Sequence, residues 1–185
     1  MEPLKEDEKL RALIEEHGEL ELEASNKPFE RMVVSIVNQQ LSTQSAEAIR
    51  ERLFENFEIT PEALLDANEE NLSDVGLSRQ KIDYIRSAAK HFQEDNLSPE
   101  KFSKMPDEEV IEELTDIHGV GEWTAKMFMI FVLAREDVFP VEDLGIRKAM
   151  EKLYGLDSRS EMREKAEEWK PYRSIASLYL WRSVD

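Results

Sequence analysis

The sequence predicts an all-α fold of roughly ten helices, because helical spacing recurs in almost every segment and strand signals are scarce. Apolar residues lie at helical spacing most clearly in residues 79–92, RQKIDYIRSAAKHF. Neither a sustained alternation of polar and apolar residues nor an Asn-Gly or Asp-Gly turn marks a strand or a hairpin. Hydrophobic residues make up 41% of the chain, which is enough for a buried core.

Capping residues and prolines place the individual helices. The first, at about residues 6–16, ends before Gly18. The side chains expected to cap helix starts are Ser42, Asn68 and Ser78, and the prolines expected near helix starts are Pro28, Pro61, Pro99 and Pro106. After a turn at 118–121 comes the apolar segment EWTAKMFMIFVLA, and after Pro140 come helices at about 144–154, 160–168 and 171–183.

The amino-acid composition excludes several kinds of site. The chain has no cysteine, which removes disulfides, thiolate zinc sites, cysteine nucleophiles and cysteine-bound iron–sulfur clusters. Its three histidines, His17, His91 and His118, are far apart in the sequence, which argues against a histidine metal site. No apolar run is long enough to cross a membrane and the N-terminus is charged, so an intracellular protein without a signal peptide or anchor is expected.

The net charge of −17 argues at first against a polyanionic partner. The charge is unevenly distributed, however: residues 1–110 hold 26 acidic and 13 basic residues, whereas residues 141–185 hold nine of each. A phosphate group could therefore be tolerated near the C-terminal third. Adaptation to concentrated salt and an acidic half that docks to a partner are both consistent with the acidic surface.

Residues 114–128, LTDIHGVGEWTAKMF, predict a helix, a short turn and a second helix. Gly119 and Gly121 flank Val120, and glycine permits positive φ and the close approach of another backbone. The first amides of the second helix would point outward at the positive end of its dipole, which favours a phosphate. Taken alone, this glycine spacing more often marks an ordinary corner between helices.

Two further polar features have ordinary explanations when each is taken alone. Asp143 follows Pro140 and precedes an apolar helix, where aspartate most often serves as an N-cap. The segment NQQLS, residues 38–42, is typical of a polar turn between two helices.

Several segments, in order, resemble the helix-hairpin-helix superfamily of base-excision DNA glycosylases. They are SIVNQQLSTQSA at 35–46, GLSRQKIDYI at 76–85, the hairpin at 114–128, VFPVEDLGIRKAM at 138–150 and EEWKPYRSIASLYLW at 167–181. The resemblance covers nearly the whole chain from Pro28 onward. Within the superfamily the pattern is most similar to 3-methyladenine DNA glycosylase II, whose additional N-terminal domain is not expected here.

The resemblance implies two helical subdomains with the active site in the cleft. Residues 28–135 would form a helical barrel that includes the helix-hairpin-helix at about 111–134. Residues 1–27 and 136–185 would form the second subdomain, which carries the catalytic aspartate.

The resemblance also assigns DNA contacts to two segments. The hairpin residues expected to bind DNA are Gly119, Val120, Gly121 and Thr124. Gln40 or Leu41 would enter the base stack where the damaged nucleotide leaves it, which offsets the cost of unstacking. The relative most similar by pattern has an apolar wedge here, so the choice between these two residues stays open. Gln39 would lie near the base pocket.

By the same resemblance, Asp143 is the catalytic carboxylate, which stabilises positive charge on the sugar, and Glu142 is solvated surface. Bifunctional members carry a lysine nucleophile where this chain has Trp123, so simple hydrolysis without strand cleavage is implied.

Trp123, Met127 and Trp181 match the residues that hold the extruded base. Among the other aromatic residues, Phe128, Phe131 and Trp169 are expected to be core.

The expected substrate is double-stranded DNA that contains alkylated purines, and the expected product is an abasic site. The chain is expected to act as a monomer at the nucleoid without a required cofactor. The resemblance also implies a Na⁺ or K⁺ ion at the main-chain carbonyls of Thr115, Ile117 and Val120. Two alternatives remain: a glycosylase for deaminated or mismatched bases, and a non-catalytic DNA-binding module. The presence of Asp143 and of the pocket aromatics disfavours the second.

Overall fold

The computed structural model describes residues 1–184, apart from the side chain of Thr43. Every regular element within these residues is helical, which confirms the predicted all-α fold. The α-helices in chain order are α1 (Glu2–Glu6), α2 (Glu8–His17), α3 (Pro28–Asn38), α4 (Thr43–Asn56), α5 (Pro61–Asp66), α6 (Glu69–Asp74), α7 (Arg79–Glu94), α8 (Pro99–Phe102), α9 (Asp107–Thr115), α10 (Glu122–Phe131), α11 (Leu144–Tyr154), α12 (Arg159–Ala166) and α13 (Arg173–Arg182). A 3₁₀ helix at Glu167–Trp169 follows α12.

Side-chain caps begin many of these helices at the positions that the sequence predicts. Ser42, Asn68 and Ser78 each accept a hydrogen bond from an amide of the following turn. Thr60 and Ser98 do the same, and in both cases a proline occupies the first helical position. Each cap satisfies an amide that has no partner within its own helix, which stabilises the helix start by roughly 1 kcal/mol.

The chain divides into two compact units. Unit 1 comprises residues 1–24 and 129–185, and unit 2 comprises residues 25–128. The sequence predicted subdomain boundaries near 28 and 135, whereas unit 2 ends at residue 128. Residues 129–135, which were predicted to belong with the hairpin, therefore lie in unit 1.

The core of unit 2 is built around α7, whose apolar face at Ile82, Ile85 and Phe92 is buried. The Phe92 ring contacts those of Phe29 and Phe128, at centroid distances of 5.4 and 6.4 Å. Packing of α3 and α7 fixes the loop that follows α3 and the residues of α7 that face the hairpin. Phe54 of α4 is 39% exposed.

The core of unit 1 contains α11 and α13, with Trp169 and Tyr179 fully buried. The Tyr179 hydroxyl donates to the Gly18 carbonyl at 2.8 Å and accepts from the Leu20 amide at 3.0 Å. These two bonds attach the segment after α2 to α13. The catalytic segment predicted around Asp143 thus lies in a unit closed by residues from both ends of the chain.

Asp7 caps α2 and is the centre of a polar cluster in unit 1. Its side chain is only 5% exposed and pairs with Lys165 Nζ at 3.0 Å. Tyr154 Oη and Trp169 Nε1 donate to it at 2.9 and 3.1 Å. Burial alone would raise the pKa of Asp7, but the hydrogen bonds from Lys165, the backbone, Trp169 and Tyr154 outweigh burial and hold the pKa below its ordinary value.

Replacing Asp7 by Asn is expected to lower the free energy of unfolding by about 2 kcal/mol at neutral pH, because charged hydrogen bonds are lost from a buried cluster. A carboxylate whose pKa is lowered by folding stabilises the protein above its unfolded pKa of about 3.9, and this contribution is lost as the pH falls through the folded pKa. The difference between the two proteins in denaturant titrations should therefore begin to shrink below about pH 4 and disappear below the folded pKa of Asp7. A difference that does not depend on pH would contradict this account.

Within residues 1–184, no helix is both long and apolar enough to cross a membrane.

Candidate functional site

The turn between α9 and α10 in unit 2 forms the predicted hairpin. The Val120 amide donates to the Ile117 carbonyl at 3.0 Å, and the His118 amide donates to Ser87 Oγ of α7 at 3.0 Å. Gly119 has φ +90°, and a Cβ there would lie 2.2–2.4 Å from ring atoms of Tyr84. The first glycine is therefore required by both its backbone conformation and the Tyr84 ring.

Gly121, the second hairpin glycine, has a different environment. It is exposed, and a Cβ added there would meet no heavy atom within 4 Å. Its carbonyl accepts the Ala125 amide at 2.9 Å, which begins the hydrogen bonding of α10. Packing within the protein does not require a glycine here. The open space beside Gly121 is what a binding partner that approaches the start of α10 would need.

The remaining hairpin residues are less accessible than the DNA-contact prediction suggests. Val120 and Thr124 are buried, at 5% and 4% exposure, so their side chains pack within the protein. Any contact of these residues with DNA would be made by main-chain groups. Glu122 occupies the first turn of α10, where its charge opposes a phosphate, and it pairs with Lys126 at 2.8 Å.

The loop after α3 contacts the hairpin through Gln39. Gln39 Nε2 donates to the Gly119 carbonyl at 3.1 Å, so this side chain joins the two predicted DNA-binding segments. Gln40 follows in a left-handed conformation with φ 57°, which non-glycine residues seldom adopt. Leu41 is 39% exposed.

A cavity of about 420 Å³ in unit 2 lies beside this loop and the hairpin. Its lining includes the predicted residues Gln39, Gln40, Gly119, Trp123 and Thr124, together with Gln80, Lys81 and Tyr84 of α7.

Lys81 supplies an ammonium group to the lining of this cavity. It donates to the Val37 carbonyl at the end of α3, and burial lowers its pKa from the ordinary value. The segment containing Lys81, GLSRQKIDYI, contributes to the family resemblance, but the sequence gives no role to its individual side chains.

Trp123 and Met127 lie one helical turn apart on α10, so both project from one side of the helix. Trp123 is 40% exposed and Met127 is half-buried. Both are accessible, as a base-contacting role requires.

Asp143 lies in unit 1 at the N-cap of α11, as predicted from its place before an apolar helix. Its Oδ1 accepts a hydrogen bond from the Ile146 amide at 3.0 Å and a second from Trp181 Nε1 at 2.8 Å. The segment before it is held by Arg147, which donates to the Glu142 carbonyl. The carboxylate is thus fixed to its own helix start and to α13.

Two expectations for residues near Asp143 are wrong. Phe131, expected in the core, is 48% exposed, and its ring lies 5.5 Å from that of Trp181 at an interplanar angle of 34°. Glu142, expected as solvated surface, is 16% exposed at its side chain and pairs with Arg163 at 3.2 Å. Both residues interact with side chains distant in sequence, which local patterns do not reveal. Trp169 and Phe128 are buried as expected.

The described residues contain no cluster of three or more His, Cys, Asp or Glu side chains that could hold a metal ion. The predicted cation site consists instead of the main-chain carbonyls of Thr115, Ile117 and Val120. Carbonyl oxygens suit hard cations such as Na⁺ or K⁺. The Ile117 carbonyl already accepts the Val120 amide and keeps a second lone pair for an ion.

Comparison with known families gives one match that covers most of the chain. Residues 33–172 match the family described as HhH-GPD superfamily base excision DNA repair protein. The matched range contains the loop after α3, the hairpin and Asp143, and it ends before Trp181.

Three relatives have sequences similar to this chain. DNA-3-methyladenine glycosylase 1 of Schizosaccharomyces pombe is 33% identical, over 85% of this chain and 72% of its own length. The DNA-3-methyladenine glycosylase of Saccharomyces cerevisiae is 34% identical, over 83% of this chain and 66% of its own length. A relative from Bacillus subtilis is 31% identical over 95% of this chain. This chain covers 66% of the length of that relative, which is just under two thirds.

Solved structures of similar proteins share this fold. The DNA-3-methyladenine glycosidase of Bacillus halodurans superposes with a TM-score of 0.88 at 37% identity, covering 98% of this chain and 86% of that protein. The 3-methyladenine DNA glycosylase Mag1 of Schizosaccharomyces pombe, in complex with abasic DNA, superposes with a TM-score of 0.82 at 29% identity, covering 98% and 96%.

Proposed function

Because the chain belongs to the HhH-GPD superfamily of base excision DNA repair proteins, we propose that it removes alkylated purines from double-stranded DNA. The relatives named above as DNA-3-methyladenine glycosylases support this substrate class. The observation that carries the proposal is the Asp143 carboxylate, fixed at a helix start by a backbone amide and an indole N–H. The reaction is hydrolysis of the N-glycosidic bond, and the products are a free base and an abasic site.

The chemistry requires little beyond one well-placed carboxylate. Alkylation at a ring nitrogen gives the purine a formal positive charge, so the electron pair of the breaking C1′–N bond neutralises the base and no proton donor is needed. Positive charge develops on the sugar, where the Asp143 carboxylate stabilises it. A water oxygen then forms the new bond to C1′ and loses a proton to solvent.

Three aromatic side chains, two exposed and one half-buried, suit a cationic base. Trp123 in unit 2, and Phe131 with Trp181 in unit 1, offer electron-rich ring faces. Each such face attracts a cation by about 0.5–2 kcal/mol, depending on desolvation. A neutral, undamaged purine gains less from the same faces, which favours the alkylated base.

DNA binding is assigned to the hairpin and to the loop after α3. The hairpin would bind phosphate through main-chain amides and the proposed cation. Leu41 is the better candidate for the wedge, because an exposed apolar side chain stacks against base pairs more favourably than an amide does. The backbone of Gln40 would hold the loop apex in its left-handed turn.

A gel assay with single-lesion duplexes tests the proposal. We expect alkali-dependent strand cleavage at 7-methylguanine in excess of an enzyme-free control treated in the same way, and none at unmodified guanine. Because Trp123 stands where bifunctional relatives have a lysine, borohydride should trap no enzyme–DNA adduct. A duplex with hypoxanthine tests the alternative substrate class. Cleavage without alkali, or a trapped adduct, would contradict the monofunctional mechanism. A 7-methylguanine duplex that, after alkali, is cleaved no more than the enzyme-free control would contradict the substrate class.

A further inference from the structure

Trp181 contacts the proposed catalytic carboxylate directly. Its Nε1 donates to Asp143 Oδ1 at 2.8 Å, and the same oxygen accepts the Ile146 amide at 3.0 Å. The family resemblance predicted for this tryptophan only a place in the wall of the base pocket. The hydrogen bond gives it a second role, because it joins α13 to the cap of α11.

Gly145 leaves the space that this contact occupies. A Cβ at residue 145 would lie 2.9 Å from Trp181 Cδ1, 3.0 Å from Asp143 Oδ1 and 3.3 Å from Trp181 Nε1. Gly145 has no positive φ, so the need for glycine here is spatial rather than conformational. Any side chain at this position would press on both partners of the hydrogen bond.

We infer that Trp181 is a positioning residue for base excision, whose indole N–H fixes the Asp143 carboxylate where charge develops on the sugar. The inference rests on the proposed function, since it requires Asp143 to be the catalytic group. The Ile146 amide fixes the position of Asp143 Oδ1 relative to α11, and the Trp181 indole fixes it relative to α13. A displacement of about 1 Å in a reacting group can cost roughly a hundredfold in rate.

Unit 1 offers a matched control for this inference. Trp169 Nε1 donates to Asp7 Oδ2 at 3.1 Å, and Asp7 is also an N-cap. The two pairs thus share their chemistry, but Asp7 has no proposed part in the reaction. Replacing either tryptophan by Phe removes one indole N–H from an N-cap aspartate and retains an aromatic ring.

Single-turnover excision from a 7-methylguanine duplex tests the inference. Trp181→Phe is expected to lower the rate at saturating enzyme by roughly ten- to a hundredfold, as the loss of a hydrogen bond to a charged group predicts. The enzyme concentration at half-maximal rate should change little, because a ring remains beside Phe131. Trp169→Phe should lower the melting temperature and leave the excision rate unchanged.

A double-mutant cycle separates positioning from other roles. In the Asp143→Asn background, Trp181→Phe should have no further effect on the rate, because the group that it positions no longer carries charge. Multiplicative losses in the double variant would overturn the inference. So would a Trp181→Phe enzyme with an unchanged saturating rate and only weaker binding of lesion DNA.

A second variant keeps the test decisive if Trp181→Phe does not fold. Gly145→Ala should displace the indole or the carboxylate and lower the saturating rate, whereas a wild-type rate would contradict the inference. Trp181→Phe or Gly145→Ala at the wild-type rate would overturn positioning alone. A wild-type enzyme that releases no alkylated base would overturn the proposed function and, with it, this inference.

Discussion

Replacing Asp143 by Asn is expected to slow base release by roughly a hundredfold or more, which makes it the most damaging single change for catalysis. The Asn side chain keeps the shape of the carboxylate but carries no charge to stabilise the cationic sugar. Its amide oxygen can still accept the Ile146 amide, so the cap of α11 should be preserved. Single-turnover rates on a 7-methylguanine duplex measure the effect.

Two controls accompany the Asp143→Asn experiment. Affinity for lesion DNA and the melting temperature should both stay close to the wild-type values, because neither depends on the charge in the transition state. Excision at the wild-type rate would contradict the assignment of Asp143. A variant with a much lower melting temperature would indicate that the carboxylate serves mainly as a structural cap.

Gly119→Ala is expected to give the largest loss of stability, at least about 3 kcal/mol in the free energy of unfolding. The new Cβ would lie 2.2–2.4 Å from ring atoms of Tyr84, and the residue would have to adopt φ +90°. Tyr84 also packs against His118, at a centroid distance of 4.9 Å, so its ring cannot move without disturbing the hairpin. Denaturant unfolding measures the loss.

Gly121→Ala is the matched control for the hairpin. Its Cβ would enter open space, so we expect a wild-type free energy of unfolding and weaker binding to duplex DNA. Equal destabilisation by the two substitutions would contradict the environments described for the two glycines. A Gly121→Ala protein with unchanged DNA affinity would contradict the proposed approach of DNA to the start of α10.

Local sequence patterns predict the helices well, because the signals involved span only a few residues. Ser42, Asn68 and Ser78 are caps, as expected from short polar side chains before apolar segments. The start of α11 at Leu144, directly after Asp143, follows from the same reasoning. The apolar face of α7 is buried as its spacing indicates.

Contacts between distant positions could not be predicted from such patterns. Trp181 and Asp143 are 38 residues apart, and Gln39 and Gly119 are 80 residues apart, so their hydrogen bonds depend on tertiary packing. Phe131 was expected in the core because most large aromatic side chains are buried, yet it is exposed at the end of α10. Periodicity identifies which side chains are apolar but not whether a neighbouring helix covers them.

The role of Gly119 illustrates the same limit. The sequence predicts that a glycine in this turn permits positive φ, which the φ of +90° confirms. The second cause, the Tyr84 ring, lies on another helix 35 residues earlier in the chain. Only the packing of α7 against the hairpin reveals it. The hairpin glycine and the ring that packs against it are therefore separate in sequence and adjacent in space.

The central claim is that this chain releases alkylated purines by hydrolysis, and identification of the released base tests it most directly. Wild-type protein and Asp143→Asn would be incubated with methylated duplex DNA, and the soluble products would be separated and identified by mass spectrometry. Release of free 7-methylguanine and 3-methyladenine by the wild type, reduced roughly a hundredfold or more in the variant, is the expected result. If the wild type binds the DNA but releases no free base, the claim is contradicted.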